Sequence, residues 1–270
     1  QEVRTLFAKA LRGERCGQSR VHREIRRALR LMKFSGIQRF TVLDYPGKAA
    51  CIVFTPGCNF RCGYCHNPEF VLPDQLKELA PDFIDEETVL RFLEGRRGLL
   101  DGVVITGGEP TLHNGLTDFI RRVKALGFLV KLDTNGSLPE VFEPMLREGL
   151  VDYVAMDVKT SIERYPELTS PCVRPEVIEK SISLIRDLAP DYEFRTTFIR
   201  ECHDDETIQK VCSLVQGAKR YRLQTYRPSV TLDPAFNQYR PFTSQEMRSM
   251  GELFQPYVQS IYIDGATFNA

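Results

Sequence analysis

The sequence has no uninterrupted apolar run of about 18 residues, the length that a membrane-spanning helix needs. It shows no secretory signal peptide, because its first residues carry charges throughout and contain no apolar core of about 7–15 residues. It shows neither a low-complexity segment nor a repeat with a period of about 20–50 residues. Eight cysteines without a secretory signal indicate thiols in a reducing compartment, where clustered cysteines bind metal more often than they form disulfides. We therefore expect a cytoplasmic protein that has no membrane partner.

The 270 residues are enough for one large α/β domain or two small ones, and 42% hydrophobic with 27% charged residues is an ordinary globular composition. The net charge is zero, but residues 1–31 carry nine Lys or Arg against three Glu, a net of +6. We expect this basic arm to lie outside the folded domain, which we place at residues 32–270, because Met32-Lys-Phe-Ser35 looks like a natural start. The alternatives are a solvated helix with Val21 and Ile25 on its apolar face, or contact with nucleic acid or an acidic partner. No nucleic-acid partner is expected.

Short β-branched runs alternate with helical patterns from Phe34 onward. Predicted strands cover residues 49–54, 102–105, 128–132, 151–158, 192–199 and 221–226, with a further strand at 260–263. Predicted helices cover residues 85–95, 115–126, 139–148, 175–188, 204–215 and 244–257, and residues 73–81 are expected to be a polar connector. Strands that alternate with helices of this length imply βαβ units and a parallel sheet. Six units are too many for a small flavodoxin-like sheet and too few for a closed eightfold barrel, so we predict an α/β fold with a partial, open (β/α)6 barrel.

Polar and glycine-rich clusters follow four of the predicted strands. They are residues 58–65, 107–110 and 133–136, and the pair Asp157 and Lys159. In parallel β/α architectures, ligands gather at the carboxyl ends of the strands. We therefore expect these clusters to meet on one rim of the sheet and to form the functional site.

Three cysteines, Cys58, Cys62 and Cys65, lie within eight residues in the spacing C-x3-C-x2-C, and the next cysteine is Cys172. Thiolates in a short loop suit iron–sulfur clusters or zinc. Structural zinc needs a fourth ligand, and the neighbouring His66 is poorly placed because adjacent side chains diverge. A cubane cluster on three cysteines leaves one iron open to another ligand. Packing as three small hydrophobic side chains is disfavoured, because polar residues and glycines surround the thiols.

The spacing, with Tyr64 directly before the third cysteine, resembles the signature of the radical S-adenosylmethionine superfamily. The resemblance implies that Cys58, Cys62 and Cys65 hold a 4Fe–4S cluster, whose open iron binds the amino and carboxylate groups of S-adenosylmethionine. It implies that the reduced cluster cleaves this cofactor to methionine and a 5′-deoxyadenosyl radical, which abstracts a hydrogen atom. Some activases carry extra clusters in an inserted segment, but residues 66–101 contain no cysteine, so we expect one cluster.

Further motifs support the resemblance. Gly107-Gly108-Glu109-Pro110 resembles the GGE element of the superfamily, although an ordinary βα turn is the alternative. Residues 133–136 and 157–159 resemble elements of glycyl-radical-enzyme activases, with a common turn and a plain salt bridge as the alternatives. The cofactor-binding candidates are Tyr64, Gly107, Gly108, Glu109, Asn135, Asp157, Lys159 and Arg195, with an exposed strand arginine as the alternative for Arg195. The resemblance also leaves room for a monovalent cation near Asp133, Thr134 and Asp157.

Residues 34–48 and 65–68 are similar to activating enzymes of glycyl radical proteins, most closely to the activating protein of anaerobic ribonucleoside-triphosphate reductase. This implies that the protein generates a glycyl radical on such a partner enzyme and receives electrons from a reductant such as flavodoxin or ferredoxin. Asp44 is the candidate for substrate contact, with an Asp-x-Pro-Gly turn as the alternative. The likeness is thin beyond Arg200, and Thr225-Tyr-Arg-Pro228 stands where pyruvate formate-lyase activase has a cofactor-holding histidine.

Two other functions stay open at this point. One is a radical S-adenosylmethionine enzyme that acts on a small molecule or a peptide, and the other is a non-catalytic metal-binding or assembly module. The scattered cysteines are expected to be structural, and they are Cys16, Cys51, Cys172, Cys202 and Cys212. His113 and His203 are expected to be surface residues.

Overall fold

The computed structural model describes residues 32–264. Residues 1–31, which include the predicted basic arm and Cys16, and residues 265–270 lie outside the described residues. The strands are β1 (Lys33–Phe34), β2 (Gly36–Thr41), β3 (Ala50–Thr55), β4 (Ile84–Asp85), β5 (Gly102–Gly107), β6 (Leu129–Thr134), β7 (Tyr153–Asp157), β8 (Tyr192–Phe198), β9 (Tyr221–Thr225) and β10 (Ile261–Ile263). The helices are α1 (Pro73–Leu79), α2 (Glu86–Glu94), α3 (Leu116–Ala125), α4 (Pro139–Arg147), α5 (Tyr165–Leu168), α6 (Pro175–Leu188), α7 (Asp205–Leu214) and α8 (Ser244–Phe254). All predicted strands and helices occur within three residues of their expected bounds.

Eight strands form one sheet in the order β10-β9-β8-β7-β6-β5-β3-β2. Neighbouring strands from β3 to β10 are parallel, as expected where helices connect successive strands. The strand β2 pairs with β3 in the antiparallel direction, and β1 with β4 forms a separate two-stranded sheet. Within residues 32–264, no further strand joins the edges β2 and β10, so the large sheet is open. The α/β prediction is confirmed, and the open sheet is consistent with a partial barrel.

The two faces of the sheet differ in chemistry, because alternate residues of a strand point to opposite faces. Side chains such as Val53 and Ile105 belong to the large core that the helices cover. The opposite face carries a small apolar cluster, which consists of Tyr45, Ala50, Ile52, Val104, Tyr153 and Ala155. By the same alternation, this face also carries charged side chains, which are Lys131, Asp133, Glu193 and Arg195. The face of the sheet opposite to the helices is therefore partly charged.

Helix α1 replaces the polar connector that we expected at residues 73–81, so that prediction is wrong. Pro73 occupies the first turn, where the missing N–H costs no hydrogen bond, and residues 75–79 are good helix formers. Prolines at both ends of the segment therefore bound a helix and not a loop. Among the helices within residues 32–264, none combines the length and the apolar character needed to cross a bilayer.

The loop between β2 and β3 lies at the amino ends of the parallel strands. Tyr45 packs there against Tyr153, with 5.8 Å between the ring centroids. Asp44 is exposed, and its carboxylate accepts a hydrogen bond from the Thr41 hydroxyl. The same hydroxyl accepts from the Leu43 N–H at 3.1 Å, which closes a local turn. Asp44 therefore lies in a turn at the amino ends of the strands, whereas Cys58 follows β3 at the carboxyl ends.

Candidate active site

A cleft at the carboxyl ends of the strands brings the predicted site together. It is lined by Cys58, Cys62, Tyr64, Cys65, Gly107, Gly108, Glu109, Asn135, Asp157, Lys159 and Arg195, which are all of the predicted metal-ligand and cofactor-binding residues. Asp133 and Thr134 line it as well, whereas Asp44 does not. The wall is completed by five residues that were not among the predicted site residues, namely Phe60, Asn67, Phe70, Val71 and Thr106. Only their closeness to the cysteines and to the end of β5 could have indicated them.

The first half of the cysteine loop is held by its own arginine and by the loop after β6. Arg61 donates from Nη1 to the carbonyl oxygens of Cys58 and Phe60, at 2.6 Å each. Asn59 donates to the Ser137 hydroxyl at 2.8 Å and accepts from the Asn135 side chain at 3.0 Å. The Asn135 amide also lies 3.8 Å from the Cys58 sulfur, so the loop and the third rim motif are joined directly.

Two glycines permit the close approach of β5 to the cysteine loop. A Cβ on Gly107 would lie 2.5 Å from the backbone of Thr55, and its φ of +114° also excludes most side chains. A Cβ on Gly108 would lie 2.0 Å from the carbonyl oxygen of Gly57. The Glu109 N–H donates to that same carbonyl at 2.8 Å. The glycines are therefore required by backbone packing whether or not a ligand is bound.

Glu109 connects two of the rim loops through its buried carboxylate. Its Oε1 accepts from the Thr134 hydroxyl at 2.8 Å and from the Thr111 N–H at 3.1 Å, and its Oε2 accepts from the Asn135 N–H at 2.7 Å. Burial raises the pKa of Glu109, and these donors oppose the shift. Both carboxylate oxygens thus bond protein groups, so Glu109 shapes the wall of the cleft more than it offers a free ligand atom.

A ladder of alternating charges crosses the wall of the cleft. Lys131 donates to Asp133 at 2.5 Å, Arg195 bonds Asp133 at 3.0 Å and Asp157 at 2.8 Å, and Lys159 bonds Asp157 at 2.8 Å. Burial is the largest influence and would raise the pKa of the two carboxyl groups, but Arg195 together with Lys131 at Asp133 and Lys159 at Asp157 outweighs it and lowers both. The Arg195 side chain is only 14% exposed, so the alternative interpretation of Arg195 as an exposed strand residue is wrong. With three cations and two carboxylates, the ladder has a formal excess of one positive charge beside the cysteines.

Two buried side chains fix the backbone of Lys159. Its N–H donates to the Tyr165 hydroxyl at 2.9 Å, and its carbonyl oxygen accepts from Nε2 of His203 at 3.0 Å. Nδ1 of His203 accepts in turn from the Ile199 N–H at 3.1 Å. His203 is only 1% exposed, so its expected surface position is wrong. Its polar neighbours in the sequence suggested solvent, but the loop after β8 turns the ring inward to satisfy a buried carbonyl.

His113 is also buried, at 2% exposure, against the expectation of a surface position. Its Nε2 lies 2.9 Å from the carbonyl oxygen of Pro56, which accepts the hydrogen bond. Burial lowers the pKa of His113 to about 4, so the ring is neutral at physiological pH. His113 therefore ties the segment after β5 to the start of the cysteine loop. The scattered cysteines Cys51, Cys202 and Cys212 are buried, in agreement with a structural role.

The cysteine loop fits a cluster better than a single metal ion. Burial raises the pKa of Cys58 to about 12 and that of Cys62 to about 11, so metal binding must displace the thiol protons. Within residues 32–264, no three His, Cys, Asp or Glu side chains converge closely enough to hold one ion. Three cysteines of a cubane cluster each bind a different iron, so they need to share a cavity and not a single point. His66 directs its Nε2 to the carbonyl oxygen of Arg227 at 2.9 Å.

One buried polar atom in the cleft lacks an oxygen or nitrogen partner. The hydroxyl of Tyr64, whose residue is 6% exposed, bonds no oxygen or nitrogen atom among the described residues, and its polar neighbour is the Cys62 thiol, where it opposes the rise in pKa. Burial raises the pKa of this phenol well above its ordinary value, so it stays a neutral donor. Buried polar groups are nearly always hydrogen-bonded, which indicates that a bound molecule completes this side of the cleft. The thiols, the backbone cradle at Gly107 and Gly108 and this hydroxyl fit the cluster and S-adenosylmethionine that the resemblance implies.

Comparisons with known proteins agree with this geometry. The family model of the radical SAM superfamily matches residues 52–213, more than half of the chain. A protein of Methanocaldococcus jannaschii that is named as a glycyl-radical enzyme activating enzyme is 34% identical over 234 residues, 85% of this chain and 94% of the relative. A pyruvate formate-lyase-activating enzyme of Listeria monocytogenes is 28% identical over 69% of this chain and 77% of its own length. A GTP 3′,8-cyclase of Stenotrophomonas maltophilia is 32% identical, but over 57% of this chain and 47% of its own.

Solved structures show the same fold at low sequence identity. A domain of a pyruvate-formate lyase-activating enzyme from Bacteroides vulgatus matches with a TM-score of 0.50 and 20% identity, over 61% of this chain and 99% of that domain. Coproporphyrinogen III oxidase from Escherichia coli matches with a TM-score of 0.51 and 17% identity, over 79% of this chain and 54% of its own. The motifs, the fold and the family match over more than half of the sequence together show that this chain belongs to the radical SAM superfamily.

Proposed function

We propose that this protein is an activating enzyme that generates a glycyl radical on a partner enzyme. The observation that carries the proposal is the 34% identity to a relative named as such an activating enzyme, which spans 85% of this chain and nearly all of the relative. A second relative, named for the activation of pyruvate formate-lyase, supports the same reaction. The identity of the partner is a separate question, and the likeness of residues 34–48 favours anaerobic ribonucleoside-triphosphate reductase.

Superfamily membership implies a 4Fe–4S cluster and S-adenosylmethionine as cofactors. When bound, they supply a one-electron cleavage of the sulfonium and the hydrogen-atom abstraction that follows. We assign the cluster to Cys58, Cys62 and Cys65, because these thiols face the cleft on one loop. The backbone at Gly107 and Gly108 lines the same cleft and would allow the cofactor to approach closely.

The charged wall binds and orients the cofactor in this proposal. The ladder keeps Lys159 and Arg195 ionised, because adjacent carboxylates raise the pKa of both cations against the effect of burial. A positive wall suits the carboxylate of S-adenosylmethionine. The buried hydroxyl of Tyr64 would offer a hydrogen-bond donor on the same side of the cleft. Asn135, through the Cys58 sulfur, fixes the loop on the opposite side of the cleft.

The monovalent cation stays a prediction that requires a rearrangement. Asp133 and Asp157 already bond Lys131, Arg195 and Lys159, and the Thr134 hydroxyl donates to Glu109. A cation could enter only if one of these ion pairs opened.

Cofactor cleavage is the first test of the proposal. Protein reconstituted with iron and sulfide, reduced with dithionite and given S-adenosylmethionine should release 5′-deoxyadenosine. Cys58→Ala should abolish the product because the cluster loses a ligand, whereas Cys172→Ala should not, because Cys172 does not line the cleft. Wild-type protein that binds the cluster but releases no 5′-deoxyadenosine would show that the reaction class is wrong.

Radical transfer to a partner is the second test. The reduced enzyme should be mixed with anaerobic ribonucleoside-triphosphate reductase, with pyruvate formate-lyase and with neither, in the presence of S-adenosylmethionine. A glycyl doublet in the electron paramagnetic resonance spectrum of one mixture identifies the partner, and flavodoxin or ferredoxin in place of dithionite tests the reductant. Cofactor cleavage without any doublet would favour a small-molecule or peptide substrate, the alternative that the partial match to GTP 3′,8-cyclase supports.

A further inference from the structure

The second half of the cysteine loop is covered by a segment that lies far from it in the sequence. This segment, residues 226–239, follows β9 and is called the strap. The Leu232 N–H donates to the carbonyl oxygen of Cys65 at 3.0 Å, and the Asp233 N–H donates to that of Gly63 at 2.9 Å. These two bonds satisfy backbone acceptors on both sides of Tyr64, so two consecutive N–H groups of the strap hold this part of the loop.

Side chains extend the contact between the strap and the loop. The ring of Phe236 lies against Gly63, and a Cβ added to Gly63 would come within 2.2 Å of that ring. The centroid of the Phe236 ring is 6.2 Å from that of Tyr64. The His66 ring stacks on Tyr226 at 5.9 Å, and its Nε2 donates to the carbonyl oxygen of Arg227. Gly63 is therefore needed because an aromatic ring of the strap occupies the position of its side chain.

The strap also holds its own shape. The Tyr226 hydroxyl donates to the carbonyl oxygen of Phe236 at 2.8 Å, which ties the two ends of the strap together. The Thr231 hydroxyl is buried and lies 2.8 Å from Oδ1 of Asn237. Asp233 caps the turn that follows it by accepting from the Ala235 N–H at 2.9 Å. Because these internal hydrogen bonds hold the strap in one conformation, the strap can restrict the conformation of the cysteine loop that it contacts.

We propose that the strap is a positioning element that fixes the Gly63–Cys65 half of the cysteine loop and shields that side of the cluster from water, with Phe236 and His66 as the positioning residues. The other half of the loop is fixed by Asn135 and Ser137, so the two halves depend on different parts of the chain. The inference rests on the proposed cluster site. It assigns a function to a region in which the sequence likeness is thin.

The test measures how firmly the reconstituted protein retains its cluster. The rate at which absorbance near 400 nm is lost to excess chelator should rise about 5–30-fold in Phe236→Ala, the factor that corresponds to about 1–2 kcal/mol. Gly63→Ala should have a similar effect, because its Cβ would displace the ring. The double variant should be no worse than the worse single variant, since both changes break one contact. Val230→Ala is the matched control, because Val230 belongs to the strap and is 74% exposed.

A second readout separates positioning from general stability. The reduction potential of the cluster should rise in Phe236→Ala, because water admitted to the loop stabilises the more negative reduced form. His66→Ala should accelerate cluster loss, and His66→Gln should restore retention, because a glutamine amide can still donate to the Arg227 carbonyl oxygen. Retention and potential unchanged in Phe236→Ala, Gly63→Ala and His66→Ala would overturn the inference. Failure of the wild-type protein to bind any cluster would instead overturn the proposed function.

Discussion

His113 shows how a single buried ring can make stability depend on pH. Burial lowers its pKa in the folded protein to about 4, whereas an unfolded histidine titrates near about 6.5. The unfolded chain therefore binds more protons between these values, and stability falls as the pH falls through that window. In the folded protein the neutral ring bonds the Pro56 carbonyl oxygen. The ring binds a proton in this pH range only when the protein unfolds.

The expected change is measurable by urea unfolding at two pH values. Between pH 7.5 and pH 5.5, His113 should contribute a loss of about 1.4 kcal/mol, one tenfold change in the proton-linked equilibrium. In His113→Gln, which keeps a donor but does not titrate, the loss should be smaller by that amount. Equal losses in the two proteins would mean that the ring is accessible to protons in the folded state.

At the scale of the elements, the contact between β5 and the cysteine loop depends on a backbone approach that only glycine allows. Gly108→Ala should weaken the binding of S-adenosylmethionine and slow cluster uptake, because the methyl group would push the loops apart at the Gly57 carbonyl. Equilibrium binding of the cofactor and the yield of reconstitution measure the two effects. Gly95→Ala is the control, because Gly95 has an ordinary φ of −72° and no contact shorter than 3.6 Å at its Cβ position. Similar losses in both variants would show that the approach at Gly108 is not special.

The charge ladder links three neighbouring strands, and Arg195 at its centre bonds carboxylates on β6 and β7 from its place on β8. Arg195→Met should lower the free energy of unfolding by about 3–5 kcal/mol, because two largely buried carboxylates, 13% and 26% exposed, lose a shared partner. Arg147→Met removes only the exposed pair with Glu143 and should cost about 1 kcal/mol or less. Chemical unfolding of both variants at neutral pH tests the difference. A small loss in Arg195→Met would mean that water reaches the ladder.

At the scale of the whole molecule, the sequence predicts the order of elements and the location of the cleft well. Hydrophobic periodicity determines which segments form strands and helices, and parallel topology then brings the ends of β3, β5, β6 and β7 to one rim. The cysteines and the other rim motifs could be found because their polar and glycine-rich composition conflicts with that of the buried strands beside them. These features depend on local sequence patterns, and such patterns can be identified in a single sequence.

Features that depend on contacts between distant segments could not be predicted in this way. The strap lies against the cysteine loop across about 170 positions of sequence, and nothing near Phe236 indicates its partner at Gly63. Likewise, the burial of His203 follows from a carbonyl at Lys159 that needs a donor. The sequence predicts Glu109 as a cofactor-binding residue, but its protein partners at Thr134 and Asn135 emerge only from the packing of two loops.

The position of Asp44 sets a minimum length for the segment of any partner that contacts both Asp44 and the cysteines. The two sites are separated by the length of β3, six residues, which at about 3.3 Å per residue amounts to about 20 Å. A partner segment that spans this depth must be extended over roughly six residues, and a compact turn carrying a glycine would be too short. The reach of the partner's segment, and not only its local sequence, would then help to decide which proteins can be activated.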